Sequence, residues 1–297
     1  MALFSPRVGL FKGLGSVLEA LPERFDYRVA SLIAESVGRL IGGSRGHLRD
    51  NVRHALYSPG LKVDEALLER YVDRGFASYG QYWAEGAKLP AIAHDEMAKR
   101  FVISEGREHL DAAFHAGKGV IMALPHVGSW EWGAAYLASI GMPMTAVAES
   151  IEPPELFQWF CEKRASIGLT IEPLDDQAGT VLLATLRRGG VVGLLCDRDL
   201  QGNGIEVEFF GETVTMPAGP ATLALRTGAA IVASSCYTGP GDGHHAVVNP
   251  PIDTTRQGKM RQDVVRITQA IAHELEALIR RTPEQWHVLQ PRFESSR

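Results

Sequence analysis

The densest chemistry in the sequence lies in the stretch Val120-Ile-Met-Ala-Leu-Pro-His126-Val-Gly-Ser-Trp-Glu131-Trp-Gly. A carboxylate on one imidazole nitrogen fixes the tautomer and makes the other nitrogen more basic, which is what removing a proton from an alcohol requires. His126 and Glu131 are therefore a candidate base and orienting acid. On one continuous α-helix their spacing would hold them about 140° apart, so they meet only if the chain turns between them. Gly128 permits such a turn, and Ser129 can cap a helix whose first turn carries Glu131. The competing reading of the same residues is a capping glutamate beside an incidental loop histidine.

Other chemistries find less support. The zinc-hydrolase pattern HExxH is absent, and none of the ten histidines forms a compact ligand pattern with cysteines, so no metal site is expected. Gly42-Gly43-Ser44-Arg45-Gly46 matches the nucleophile-elbow pattern GxSxG, but it follows a helical stretch where that mechanism requires a strand. No Walker or GxGxxG sequence occurs, which leaves nucleotide hydrolysis and a dinucleotide cofactor without support.

The elements that must position His126 follow from periodicity. Leu3, Phe4, Val8, Leu10, Phe11, Leu14, Val17, Leu18 and Leu21 recur at helical intervals until Pro22, and a second helical stretch from about Arg24 to Ile41 ends at Gly42-Gly43. Both can pack on a core or lie on a membrane surface, and an amphipathic helix can do both. Further helices are expected over 45–90, where Leu67, Leu68, Tyr71, Phe76, Tyr79, Tyr82 and Trp83 recur at spacings of three and four. Pro90 closes that run. Beyond it, short apolar or β-branched runs at 101–103, 120–124, 144–147, 191–195 and 231–234 alternate with helical segments, the pattern of an α/β sheet covered by helices. An antiparallel strand is expected over 244–248. His126 then stands just past the carboxyl end of a buried strand, where open α/β sheets place their ligands.

With 297 residues, of which 45% are apolar, the chain can bury a sizeable core. Its net charge of −5 argues against a nucleic-acid binder. Residues 1–53 nevertheless carry eight Lys/Arg against five Asp/Glu, a basic start suited to an anionic membrane surface. Three scattered cysteines suit a reducing compartment. No apolar stretch is long enough to span a bilayer, and the first residues do not read as a secretory signal. The expected organisation is a pair of membrane-facing amphipathic helices over 1–45 and one α/β unit over 46–297.

These blocks resemble the bacterial lipid A biosynthesis acyltransferases, within the wider glycerolipid acyltransferases that carry a His-x4-Asp/Glu motif. His126 to Glu131 matches the motif. The resemblance continues through Arg164 in FCEKRASIGLTIEPL, through Asp197-Arg198-Asp199, through FFGETVTMPAGPATLALRTGAAIV with Gly211, Pro217 and Gly219, and into PEQWHVLQPRF. SYGQYWAEGAKLP, TAVAESIEPPELFQWF, the DRDL run and WHVLQP are most similar to the actinobacterial phosphatidylinositol mannoside acyltransferases, in which Asp rather than Glu131 is expected as the motif carboxylate.

The resemblance implies a mixed or mostly parallel sheet flanked by helices. It implies an enzyme on the cytoplasmic face of the plasma membrane that moves a long acyl chain, such as palmitoyl, from acyl-coenzyme A to a mannose hydroxyl, with no metal or bound cofactor. His126 would be the general base and Glu131 its support, with backbone N–H groups after His126 as oxyanion donors. Arg164 would bind an anionic group of either substrate, although most arginines on helices simply face solvent. Asp197, Arg198 and Asp199 follow a strand-like run and should lie near His126; one carboxylate would contact the histidine or hold sugar hydroxyls, the other pair with Arg198. Glu149, past the strand at Val147, is a candidate on the same positional ground, while Thr215, Pro217 and Gly219 shape a nearby loop. Two alternatives stay open: another lipid acceptor (lysophospholipid or lipid A precursor), with acyl carrier protein as a possible donor, and an inactive lipid-binding homologue.

Overall fold

Three helices lead the described chain: α1 (Glu23–Leu40), α2 (Gly42–Leu56) and α3 (Glu65–Lys88). This is a computed structural model, and it describes residues 23–40, 42–57, 63–92, 94–239 and 243–293. The amphipathic helix expected before Pro22 lies outside those residues. Asp64 starts α3 by accepting the Ala66 amide at 3.0 Å, and Pro90 ends the run inside a short 3-10 turn, Leu89–Ala91. Leu48 and Val52 of α2 pack on Leu68, Val72 and Phe76 of α3. Arg45 and Arg49 tie the two helices on the outside through Glu69, at 2.7 and 2.6 Å. α1 lies so close to α3 that a Cβ at Gly80 would fall 2.5 Å from the Ala30 carbonyl oxygen.

The chain then alternates helix and strand through α4 (His94–Arg100), β1 (Phe101–Glu105), α5 (Arg107–His115), β2 (Val120–Leu124), α6 (Trp130–Ser139), β3 (Met144–Ala148), α7 (Pro154–Ala165), β4 (Leu169–Pro173), α8 (Ala178–Arg187) and β5 (Val191–Leu195). A hairpin follows, β6 (Ile205–Phe209) and β7 (Glu212–Met216). Then come α9 (Gly219–Thr227), β8 (Ala230–Thr238), β9 (His244–Val248) and α10 (Met260–Arg281). The main sheet has seven strands in the order β1-β9-β8-β2-β5-β3-β4. Every neighbouring pair is parallel except β8 with β9. This is the mixed, mostly parallel sheet expected from the sequence, including the antiparallel contribution at 244–248.

Two features were not anticipated. β4 is an edge strand whose sequence, Leu-Thr-Ile-Glu-Pro, has no apolar run to mark it. The β6–β7 hairpin stands apart from the main sheet and alternates apolar residues with Glu and Thr. Its strands are joined by Phe210 and Gly211 at φ of 52° and 82°, the backbone of a primed two-residue turn.

Side-chain alternation along the central strands divides the core between the two faces of the sheet. Ile121, Ala123, Val192, Leu194, Ile231 and Ala233 face α10 through Ile267, Ile271 and Leu275. Val120, Met122, Val191 and Val232 face α5 and α6 through Leu110 and Leu137. Each Val, Leu, Ile or Met side chain among these contributes about 1.5–3 kcal/mol by leaving water, so the central strands β2, β5 and β8 are firmly held. Among the described residues no helix is long and apolar enough to cross a membrane. α1 does leave Val29, Leu32, Ile33, Val37 and Leu40 exposed, with Leu32 at 64% and Leu40 at 85%. At 100° per residue these side chains share one face of the helix.

Candidate active site

β2 and β5 are paired in register, with Leu124 opposite Leu195. The register continues one residue further, where the Cys196 amide donates to the Leu124 carbonyl at 2.8 Å. It therefore delivers His126 and Asp197 side by side at the carboxyl edge of the sheet. Asp197 is fully buried. Its Oδ1 lies 2.5 Å from His126 Nδ1, and its Oδ2 accepts both the His126 amide at 2.9 Å and the Trp286 indole N–H at 2.7 Å. Burial by itself would push the Asp197 carboxyl up, but the charge and hydrogen bond of His126, the amide and the indole hold it down at about 2. An ionised carboxylate on Nδ1 keeps the proton there, so the Nε2 lone pair is the one left to act. The arrangement can take a proton from a hydroxyl and stabilise the imidazolium that results.

The contact expected between His126 and Glu131 is not made. After Gly128 the chain enters α6, and Glu131, in its first turn, points to Arg164 on α7, with Oε1 at 2.9 Å from Nε and 2.7 Å from Nη2. Gly128 is required at the turn: its φ is +57°, and a Cβ there would fall 2.1 Å from the Cys236 carbonyl oxygen. The same turn commits the three backbone donors that directly follow His126. Val127 N–H donates to Pro125 O at 2.8 Å, Gly128 N–H to Gln285 O at 2.9 Å, and Ser129 N–H to Cys236 O at 3.1 Å.

A cleft of about 790 Å³ opens over these strand ends. His126, Glu149, Arg164, Arg198 and Asp199 all line it. Asp197 does not; it lies beneath His126 and acts on it, not on the cleft. Asp199 also folds its own loop by accepting the Gly202 and Gly204 amides at 3.0 and 2.8 Å. Pro217 and Gly219 line the cleft at the start of α9, while the Thr215 carbonyl accepts Arg292 Nη2 at 3.0 Å. Val147, Ile171, Leu182, Leu194 and Leu223 make one wall aliphatic, and Tyr79, Tyr82, Trp83 and Trp130 make another aromatic. Trp132 is buried against His244, ring centroids 4.2 Å apart, so it packs the core.

Burial works against the Arg164 charge, but Glu131 and Tyr82 outweigh it and hold the guanidinium above its ordinary range. Burial and the nearby Glu131 charge push the Tyr82 phenol up in turn. The carboxylate of the sequence motif thus anchors a cation at the cleft wall.

A profile of the bacterial lipid A biosynthesis acyltransferases matches residues 5–295. The chain belongs to that family. It is an acyltransferase, as the family and its relatives are. A phosphatidylinositol mannoside acyltransferase from Mycobacterium tuberculosis is 38% identical over 255 residues, covering 84% of this chain and 78% of the relative. Another of the same description, from Mycolicibacterium smegmatis, is 35% identical over 280 residues, covering 93% and 88%.

The residues that sequence reasoning missed come from distant segments. Trp286 and His287 follow the turn Pro283–Gln285, and the stretch lies antiparallel to the His126 loop through the bridge Val127–Trp286. Both residues stand in the PEQWHVLQPRF block, whose likeness to the family carried no role for either. Arg226 on α9 also reaches the cleft; an arginine at the end of a small-residue helix gave no local sign of it.

Proposed function

We propose that this acyltransferase moves a long acyl chain, palmitoyl by preference, from acyl-coenzyme A to a mannose hydroxyl of a phosphatidylinositol mannoside, with His126 as general base. The observation that carries the mechanism is the His126–Asp197 pair, set in register at the end of adjacent strands and facing a cleft of about 790 Å³. The descriptions of the two mycobacterial relatives support the acceptor.

In this reading the mannose hydroxyl oxygen attacks the thioester carbonyl carbon as His126 Nε2 takes its proton. The new C–O bond forms while the carbonyl electron pair moves to oxygen. Asp197 holds the Nδ1–H and offsets the imidazolium charge. Collapse re-forms the carbonyl and breaks the C–S bond, and the departing thiolate receives the proton from Nε2. No covalent acyl-enzyme and no metal enter the balance. Arg164, Arg198 and Arg226 offer guanidinium forks for the phosphates of coenzyme A or of the inositol headgroup, and the aliphatic wall suits the acyl chain. The exposed face of α1 rests on the membrane that holds the glycolipid, at its cytoplasmic surface, with the helix lying in the interface and not crossing it.

A panel of labelled donors and acceptors tests this reading. Purified protein is offered palmitoyl-coenzyme A or palmitoyl-acyl carrier protein, with phosphatidylinositol mannosides, lysophospholipid or a lipid A precursor, and the products are separated. Label in acylated mannoside from the coenzyme A donor is expected. Label in another lipid alone overturns the acceptor, and label from the carrier protein alone overturns the donor.

A further inference from the structure

The thioester reaction needs donors for the oxyanion, and the loop that carries His126 has none to spare. The amides of His126, Val127, Gly128 and Ser129 are all committed, to Asp197, Pro125, Gln285 and Cys236 respectively. What faces His126 instead is the returning C-terminal segment. The His287 amide donates to the His126 carbonyl at 2.7 Å and the Gly128 amide to Gln285, which places His287 directly opposite His126 across the Val127–Trp286 bridge. Val127 and Trp286 are buried on the core side, so alternation turns both imidazoles to the other side, where both line the cleft. Residues opposite one another in such a pair have Cβ atoms about 5 Å apart.

We propose that His287, through its Nδ1–H, is the oxyanion donor of the acyl transfer. The proposal rests on the reading of His126 as the base, and it adds a second imidazole with a different task. The surroundings of His287 suit that task. His287 Nε2 lies 2.9 Å from the Ser78 hydroxyl on α3. Among the described residues Ser78 Oγ has no other hydrogen-bond partner, whereas Ser36 turns its hydroxyl back to its own helix at 2.7 Å. With the Ser78 proton directed to Nε2, its single described partner, the neutral imidazole carries its hydrogen on Nδ1, which is the tautomer the proposal requires and the NMR measurement below reads. The ring is also held in place, with Tyr79 and Tyr82 centroids at 5.5 and 5.6 Å.

Burial and the neighbouring His126 charge push the His287 imidazole down to about 3, so it stays uncharged while His126 gains and loses its proton. A neutral imidazole can donate to a developing oxyanion without competing for the hydroxyl proton, the role of an electrophile and not of a second base. No bond in this step is broken by His287: it donates one hydrogen bond as the tetrahedral centre forms and retains its proton when the C–S bond breaks.

The test compares His287→Leu, which removes the donor, with His287→Asn, whose amide nitrogen falls close to the place of Nδ1. Initial rates are measured with palmitoyl-coenzyme A and phosphatidylinositol mannosides. Loss of one oxyanion donor costs about 10² to 10³ in kcat, so His287→Leu should fall by that factor with KM for both substrates within about threefold, and His287→Asn should recover at least about tenfold of it. Nitrogen NMR of the labelled wild-type imidazoles at pH 7 gives a check that needs no variant, and the hydrogen of His287 should be on Nδ1. The proposal is overturned by a folded His287→Leu within about fivefold of wild type, by a rise in KM alone, by no gain in His287→Asn over Leu, or by an Nε2–H signal. His126→Ala is run beside them: if it keeps activity, the base reading fails, whereas a dead His126→Ala with an unaffected His287→Leu sinks the oxyanion donor alone.

Discussion

Replacing Asp197 with asparagine exchanges one carboxylate oxygen for an NH2 group, and the surrounding donors dictate where that group goes. Oδ2 accepts two groups that can only donate, the His126 amide and the Trp286 indole. The carbonyl oxygen of the substituted side chain must take that position, because an amide NH2 there would face two N–H groups. The NH2 is then left at the place of Oδ1, 2.5 Å from His126 Nδ1 in the parent. Nδ1 must become an acceptor, the imidazole carries its hydrogen on Nε2, and the nitrogen facing the cleft can no longer take a proton. The charge that stabilised the imidazolium is lost as well. Tautomer inversion of this kind costs a histidine base about 10⁴ in kcat, or roughly 5 kcal/mol of barrier.

The assay is steady-state transfer of labelled palmitate from palmitoyl-coenzyme A to phosphatidylinositol mannosides, with circular dichroism to confirm an unchanged fold. An Asp197→Asn enzyme within tenfold of wild type refutes the reasoning. Acid stability gives a parallel reading. The folded Asp197 carboxyl, at about 2 against an ordinary 3.8, contributes stability that is present above about pH 4 and lost as pH falls through about 2. The variant should therefore lose less stability than wild type between pH 5 and 2.

Trp286→Phe removes the indole donor to a charged carboxylate and should cost about 2 kcal/mol of stability, read from denaturant midpoints, with a fall in kcat of about tenfold. Glu131→Gln leaves Arg164 without its anion at a site where Glu131 is 5% exposed. It should destabilise by about 3 kcal/mol and raise KM for the donor, without the tautomer-type collapse of kcat expected for Asp197→Asn. Leu32→Glu with Ile33→Glu puts charge on the exposed face of α1 and should weaken sedimentation with anionic liposomes at least tenfold; unchanged binding removes that helix from the membrane contact.

What the sequence made legible was the scaffold and the position of His126. Val120–Leu124 reads as a buried strand because all its side chains are covered on both faces, and Pro125 marks its end. The partner of His126 was legible only as one carboxylate of the Asp197-Arg198-Asp199 run, without a choice between the two and beside the competing Glu131. Asp197 lies 71 residues away, and only the lateral pairing of β2 with β5 brings the two strand ends together. Local spacing instead favours Glu131, whose motif position is real but whose side chain turns away once Ser129 starts α6. Trp286 and His287 were hidden for the same reason, since an antiparallel bridge to residue 127 has no local signature. The β6–β7 hairpin differs: its alternation and its Phe210-Gly211 turn were present in the sequence, yet its half-exposed strands lack the apolar runs that marked β2 and β5.

The most direct measurement of the central claim is transfer of labelled palmitate from palmitoyl-coenzyme A to phosphatidylinositol mannosides by wild type and by a folded His126→Ala variant. Acylated mannoside from wild type, with a fall of at least about 10³ in the variant, is the result that a base at His126 predicts. Equal product from the two proteins would contradict it.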